Sequence, residues 1–247
     1  MPNDRNAAES GTVKPARPRV VCHMMASLDG RIVTDGWPLS EAERGEYERV
    51  HDSYEADGWL VGRVTMQQHF AAGVRSDAEL AREHPGGMRE DFVAPAEHES
   101  FAFAVDPRGR LVWESGDLDG DHLVALLTER VSDEYLAVLR ERGVSYLLAG
   151  REDMDLPLAL EKIGARLGVR TLMLEGGGGI NGSMLRAGLV DELSLLVAPV
   201  ADGRVGTAAL FDADDDGFTP RRLALEAVER RAGDLLWLRY RVEEKVG

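Results

Sequence analysis

Residues 170–199 read RTLMLEGGGGINGSMLRAGLVDELSLLVAP, and this stretch decides the architecture. The apolar run Thr171 to Leu174 has the length and composition of a buried strand, and it ends in Glu175. Four glycines follow, Gly176 to Gly179. Next come a helical stretch, Ile180 to Ala187, closed by Gly188, and a second apolar strand, Leu193 to Val197, stopped by Pro199. A strand, a glycine turn and a helix in that order leave unpaired backbone N–H groups at the positive end of a helix dipole. That is a ready site for a phosphate or pyrophosphate. Consecutive glycines are costly in unfolded-state entropy, so a loop without side chains must be needed there. The competing reading, for glycines alone, is a permissive turn.

Outward from this stretch, strand-like and helix-like segments alternate. Arg19 to Ala26 is apolar without polar alternation, which predicts a central strand. Trp37 to Tyr54 predicts a helix with Ser40 as N-cap and a solvated charged face. Ala56 to Val61 predicts a strand that enters Gly62-Arg63-Val64-Thr65, with a helix to about Phe70. Strands are expected at Phe101 to Val105, His122 to Leu127 and Val144 to Ala149, with Leu111 to Trp113 returning across a turn as partner of the first. Helices are expected from Ser132 to Arg142 and from Leu156 to Leu167, the latter ended by Gly168. This is an α/β pattern: a mainly parallel central sheet with helices on both faces. Arg222 to Arg230 and Leu235 to Val242 close it as a C-terminal antiparallel hairpin. Ligands of such sheets bind beyond the carboxyl ends of the strands, where Glu175 and the glycines sit. Residues 1–17 read as a disordered tail and 18–247 as one domain, with 72–100 an insertion that edges the active site and Asp212 to Asp216 an acidic solvated loop.

Bulk properties narrow the function. A net charge of −15, from 44 acidic and 29 basic side chains, argues against nucleic acid and anionic membranes as partners. It leaves room for a phosphorylated small molecule held by local arginines and a helix terminus. One cysteine, Cys22, allows neither a disulfide framework nor a cysteine-based zinc site, and no metal site is expected. The absence of a membrane-length apolar run or an apolar signal core makes the cytoplasm the expected location.

Three motifs in order, Ser27-Leu28-Asp29-Gly30-Arg31, Gly62-Arg63-Val64-Thr65 and Glu175-Gly176-Gly177-Gly178 with Asn181-Gly182, resemble the riboflavin-pathway pyrimidine reductases. The likeness runs from about Arg19 to Arg241. It implies a dihydrofolate-reductase-like three-layer fold, NADPH as cofactor, a homodimer, and reduction of a ribosylamino-pyrimidine 5′-phosphate to its ribityl form. By the same resemblance Gly62, Arg63, Thr65, Val105, Asp106, Glu175, Gly176, Gly177 and Gly178 would contact the cofactor, with Arg63 on its 2′-phosphate. Ser27 and Asp29 would meet substrate, and Asp29 with Glu175 would orient hydroxyls or manage the proton; an Asp before a Gly at a strand end is otherwise simply a turn. Many relatives place a Lys six residues before the loop Asp. Here the position is His23, a catalytic candidate or else a satisfied buried histidine.

Other functions stay open on sequence alone. No His-x-Glu with Pro-Cys-x-x-Cys is present, so this sequence is expected to hold no zinc deaminase and to be a stand-alone reductase module. Folate reduction fits poorly, because Trp37 plus five residues falls on Ala42 rather than on an acid. A reductase of the same fold acting on another imine or carbonyl, in specialised metabolism, and a non-catalytic NADPH-binding paralogue are the remaining readings.

Overall fold

The structure, a computed structural model, describes residues 17–82, 84, 86–87, 89–95, 97–212 and 219–243. Its strands in chain order are β1 (Arg19–Ala26), β2 (Gly58–Gly62), β3 (Gly73–Val74), β4 (Phe101–Val105), β5 (Leu111–Val112), β6 (Asp117–Leu118), β7 (Asp121–Leu127), β8 (Ser145–Leu148), β9 (Thr171–Leu174), β10 (Glu192–Val197), β11 (Leu223–Arg230) and β12 (Leu236–Val242). The helices are α1 (Glu41–Asp52), α2 (Arg63–His69), α3 (Asp77–Leu80), α4 (Asp133–Glu141), α5 (Leu156–Leu167) and α6 (Gly178–Arg186).

The main sheet runs β11-β12-β10-β1-β9-β2-β4-β7-β6, with β8 also on β7. Pairing is parallel from β10 through β1, β9, β2 and β4 to β7 and β8. The hairpin β11–β12 adds antiparallel to β10. Alternate side chains of each strand serve opposite faces. On one face Val20, Cys22, Leu60, Phe103, Leu172 and Leu174 pack under α5 and α6. On the other, Val61, Ala104, Leu123, Ala125 and Leu127 pack with α2 and α4, while Met25, Leu196 and Trp237 pack with α1. Each fully buried leucine of these layers contributes about 1.5–3 kcal/mol by leaving water.

Local chemistry starts and stops the helices where the sequence suggests. Ser40 accepts from the Glu43 N–H and the Glu43 side chain returns to the Ser40 N–H, closing a capping box. Asp155 caps α5 through the Leu158 N–H, and Gly168 ends that helix at φ +73°.

Four expectations need correction. Leu111–Val112 pairs with β3 rather than with β4. Helix α6 starts at Gly178, inside the glycine run, rather than at Ile180. Helix α1 begins after the expected Ser40 cap but is shorter than the Trp37–Tyr54 stretch, running Glu41–Asp52. None of the described residues of 72–100 lines the large cleft at the strand ends. That segment instead straps the opposite edge of the sheet: Phe92 bridges Tyr146 of β8, and Asp91 accepts from the Leu148 N–H and from Lys162 Nζ. Residues 1–16 of the expected tail and nearly all of the acidic loop at 212–216 lie outside the described residues. Arg17, where the described chain begins, forks onto the Asp191 carboxylate with two bonds of 2.7 Å.

Candidate active site

A cleft of about 860 Å³ opens at the carboxyl ends of β1, β9, β2 and β4, between α2 and α6. It is where a parallel sheet with this order is expected to bind ligand. Each glycine of the loop has its own physical reason. Gly176 adopts φ +91°, which L side chains avoid, and its carbonyl accepts from the Gly62 N–H at 2.9 Å. The Gly177 N–H donates to Thr65 Oγ1 at 3.0 Å, tying the loop to the start of α2. A Cβ on Gly178 would lie 2.3 Å from the Ala209 carbonyl oxygen. A Cβ on Gly179 would meet nothing within 4 Å, because that residue faces the open cleft. No side chain caps α6, so its first N–H groups are left for a ligand.

Glu175 closes β9 and lines the cleft beside Met24 and Gly62. One of its carboxylate oxygens, Oε1, lies 2.8 Å from His51 Nδ1, with the two side chains only 13% and 24% exposed. His51 sits in the last turn of α1, where the helix dipole favours a cation. The Glu175 carboxylate raises the His51 imidazole above its ordinary range, against a smaller opposing effect of burial. Tyr47, one turn earlier, donates its hydroxyl to the His23 carbonyl oxygen at 3.1 Å. Burial, and then the nearby Glu175 charge, push the Tyr47 phenol well up.

Asp29 is not among the residues lining the cleft. Its carboxylate accepts from Ser27 Oγ at 2.7 Å and from the N–H groups of Asp202 and Gly203 at 2.9 and 2.8 Å. The Ser27 bond first, then the two backbone donors, hold it down at about 2. A carboxylate so held is a poor proton donor at neutral pH. It pins the 202–203 loop, whose Asp202 in turn takes the Trp37 indole N–H at 2.7 Å and the Arg204 guanidinium.

His23 turns away from the cleft. It lies on the α1 face of β1, fully buried, its ring stacked on Tyr47 with 4.3 Å between centroids. Nε2 lies 3.1 Å from the Tyr47 carbonyl oxygen and Nδ1 lies 3.1 Å from Ser194 Oγ, which also accepts from the Trp237 indole N–H. A neutral ring protonated at Nε2 satisfies every one of these partners, and burial lowers its pKa accordingly. Of the two readings of His23, the geometry matches the satisfied buried histidine, because neither it nor its ring partners line the cleft.

On the α2 side, Arg63 and Thr65 line the cleft, as does Val105 at the end of β4. Among the described residues the Arg63 guanidinium makes one bond, Nη1 to Gln67 Oε1 at 2.7 Å. Thr65 Oγ1 spends its acceptor on Gly177, which leaves its hydroxyl proton to donate. Asp106 is 1% exposed and serves the turn after β4: Oδ2 accepts from the Leu111 N–H, and burial raises its pKa. Val105 also lines a second hollow of about 520 Å³, continuous with the first through Ile180 and Ser183 and bounded by Met154, Pro157 and Arg186. Sequence reasoning missed His51, Ile32 to Asp35, and Asp212, whose Oδ2 accepts from the Ala209 N–H beside Gly178. His69, read as structural, is exposed at the rim of the cleft.

The model of the RibD C-terminal domain family matches residues 18–236. The chain belongs to this family. Among curated relatives, the 2,5-diamino-6-ribosylamino-4(3H)-pyrimidinone 5′-phosphate reductase of Methanothermobacter thermautotrophicus is 30% identical over 199 residues, 80% of this chain and 85% of that one. The Archaeoglobus fulgidus protein of the same name is 26% identical over 87% of this chain and 94% of its own. The fold is that of a pyrimidine reductase-like protein from Corynebacterium diphtheriae, with TM-score 0.67, 19% identity and coverage of 92% and 93%. It is also that of the Saccharomyces cerevisiae riboflavin biosynthesis reductase, with TM-score 0.59, 16% identity and coverage of 92% and 90%. The dihydrofolate-reductase-like architecture expected from the three motifs is therefore the one found.

Proposed function

We propose that this chain is an NADPH-dependent reductase of a ribosylamino-pyrimidine 5′-phosphate, converting the ring-opened ribosyl group to ribityl. The observation that carries the reading is the cleft that joins the side-chain-free glycine loop to Glu175, in a chain whose curated relatives bear that reductase name.

The residues present fit a dinucleotide phosphate. The uncapped start of α6, Thr65 and Arg63 all line this cleft, and Gly179 adds no side chain to fill it. Arg63, with one neutral partner, is placed for a 2′-phosphate, which favours NADPH over NADH. Bound there, the cofactor would supply a hydride to C1′ of the substrate.

The chain supplies position, charge and exclusion of water. Glu175 brings a carboxylate to the cleft lining beside the glycine loop, so it would orient a ribose hydroxyl or the amine nitrogen that gains a proton as C1′ is reduced. Asp29 acts indirectly, by holding the 202–203 loop in place. Ser27 supports Asp29 rather than touching substrate. We further infer a homodimer, supported by the exposed Leu225 and Val228 on the edge strand β11, and a cytoplasmic location, supported by the phosphorylated substrate class. Among the described residues no helix is long and apolar enough to cross a membrane.

The test is NADPH oxidation followed by nicotinamide absorbance, with the diamino-pyrimidinone and the deaminated uracil phosphates in parallel and dihydrofolate as a control. Turnover of either pyrimidine but not of dihydrofolate is expected. Turnover of dihydrofolate alone would overturn the assignment.

A further inference from the structure

Glu175 does not stand alone at the cleft. Its Oε1 is 2.8 Å from His51 Nδ1, and both side chains are largely buried at a junction of β9 with the end of α1. His51 is contributed by the last turn of α1, where the negative end of the helix dipole stabilises an imidazolium. The groups around it reinforce this. Glu175 faces it from β9, and Glu48 and Asp52 from α1 itself; all three favour its charged form. From β1 the facing group is His23, which burial keeps neutral; Tyr47 of α1 stays a neutral phenol.

We propose that His51 is the positioning residue of the cleft: as an imidazolium it fixes one oxygen of Glu175 and leaves the other aimed at the substrate. The catalytic consequence rests on the reductase reading above, whereas the pairing itself does not. His51 itself does not line the cleft, whereas its partner Glu175 does, so it acts through Glu175. The sign of the pH dependence follows from the direction of its shift. A histidine raised by its partner keeps the pair intact below the unfolded value and through the gap up to the folded value. The pair is lost as pH rises through the folded value, because the neutral ring no longer carries the compensating charge.

Two measurements on the full-length protein test the proposal. Imidazole NMR titrations of the wild type and of Glu175→Gln read the pairing directly. His51 is expected to titrate above about 6.5, the ordinary imidazole value, and to fall back in the variant. Steady-state kinetics of wild type and His51→Gln across pH then read the consequence. The Gln amide can still donate to Glu175 but never titrates, so the variant should lose the alkaline fall in kcat that the wild type shows. Its kcat should drop on the order of ten- to hundred-fold from misplacement of the carboxylate, with the KM for NADPH little changed. A His51 titration that is unshifted, or that ignores Glu175→Gln, overturns the proposal. So does an alkaline limb that persists in His51→Gln. A raised, Glu175-dependent His51 in a protein that turns over neither pyrimidine supports the pairing and overturns the reductase reading instead.

Discussion

Two adjacent glycines should respond to the same substitution with opposite signs. Gly178→Ala would set a Cβ 2.3 Å from the Ala209 carbonyl oxygen and 2.6 Å from Asp212 Oδ2. Ordinary contact begins at 3.4 Å, so the 209–212 segment must retreat by about 1 Å, the difference of 3.4 and 2.3 Å. That segment is held in place by Asp212 N–H to the Gly178 carbonyl, Ala209 N–H to Asp212 Oδ2 and Asn181 Nδ2 to the Leu210 carbonyl. Overpacking of this kind costs about 1–3 kcal/mol. The reduced entropy of the unfolded chain returns about 0.4–1 kcal/mol. The net is a loss on the order of 1–2 kcal/mol, read as a Tm lower by about 2–8 °C for a chain of this size. Gly179→Ala meets nothing within 4 Å and sits in helical backbone. It should gain up to about 1 kcal/mol from helix propensity, so its Tm rises slightly. Its methyl group enters the cleft at the uncapped helix end, so the Kd for NADPH should rise although stability improves. Thermal unfolding and NADPH titration of both variants decide the matter. Equal shifts of the same sign, or a Gly178→Ala protein more stable than the wild type, would refute this account of the loop.

Other residues give sharper contrasts. Arg63→Ser removes the guanidinium on the cofactor wall and should raise the KM for NADPH about 10–100-fold, equivalent to a charge-assisted bond of about 1.5–3 kcal/mol, while the KM for NADH stays put; equal loss with both cofactors would contradict the 2′-phosphate role. His23→Gln should lower stability by about 1–3 kcal/mol through unmet buried partners yet leave kcat unchanged at permissive temperature, a result measured by denaturation beside steady-state kinetics. Asp29→Asn should unfold at lower temperature than the wild type at pH 7, since the depressed carboxylate stabilises the fold above its unfolded value near 4; the gap should close as pH falls through about 2, which a pH series of melting curves would read.

Much of the fold could be read along the chain because its signals are local. The run Arg19–Ala26 became β1 at those bounds, and Gly168 ended α5 with the left-handed backbone that glycine favours. What escaped the sequence is non-local. Leu111–Val112 was assigned to the nearest apolar neighbour, but strand partners are chosen by packing, and β3 lies 37 residues upstream of its partner, as Val74 facing Leu111 shows. The start of α6 moved into the glycines because Ala209 and Asp212 hold Gly178 in helical geometry against its weak propensity. The same limit applied to the site. Gly177 to Gly179, Glu175, Arg63 and Thr65 carry motif spacing and line the cleft; the His51 partner of Glu175 lies 124 residues away and reads as one more charge on a solvated helix. The face of His23 was hidden because β1 is apolar on both sides, so no alternation marks which residues look into the cleft.

The most direct test of the central claim is isotopic. The protein would be given NADPH deuterated at the transferring position of the nicotinamide, together with the diamino-pyrimidinone ribosyl phosphate, and the product examined by mass spectrometry and NMR. The account predicts a ribityl product carrying one deuterium at C1′, formed by the wild type and nearly absent with Glu175→Gln. Bound NADPH with no labelled ribityl product from either pyrimidine would contradict it.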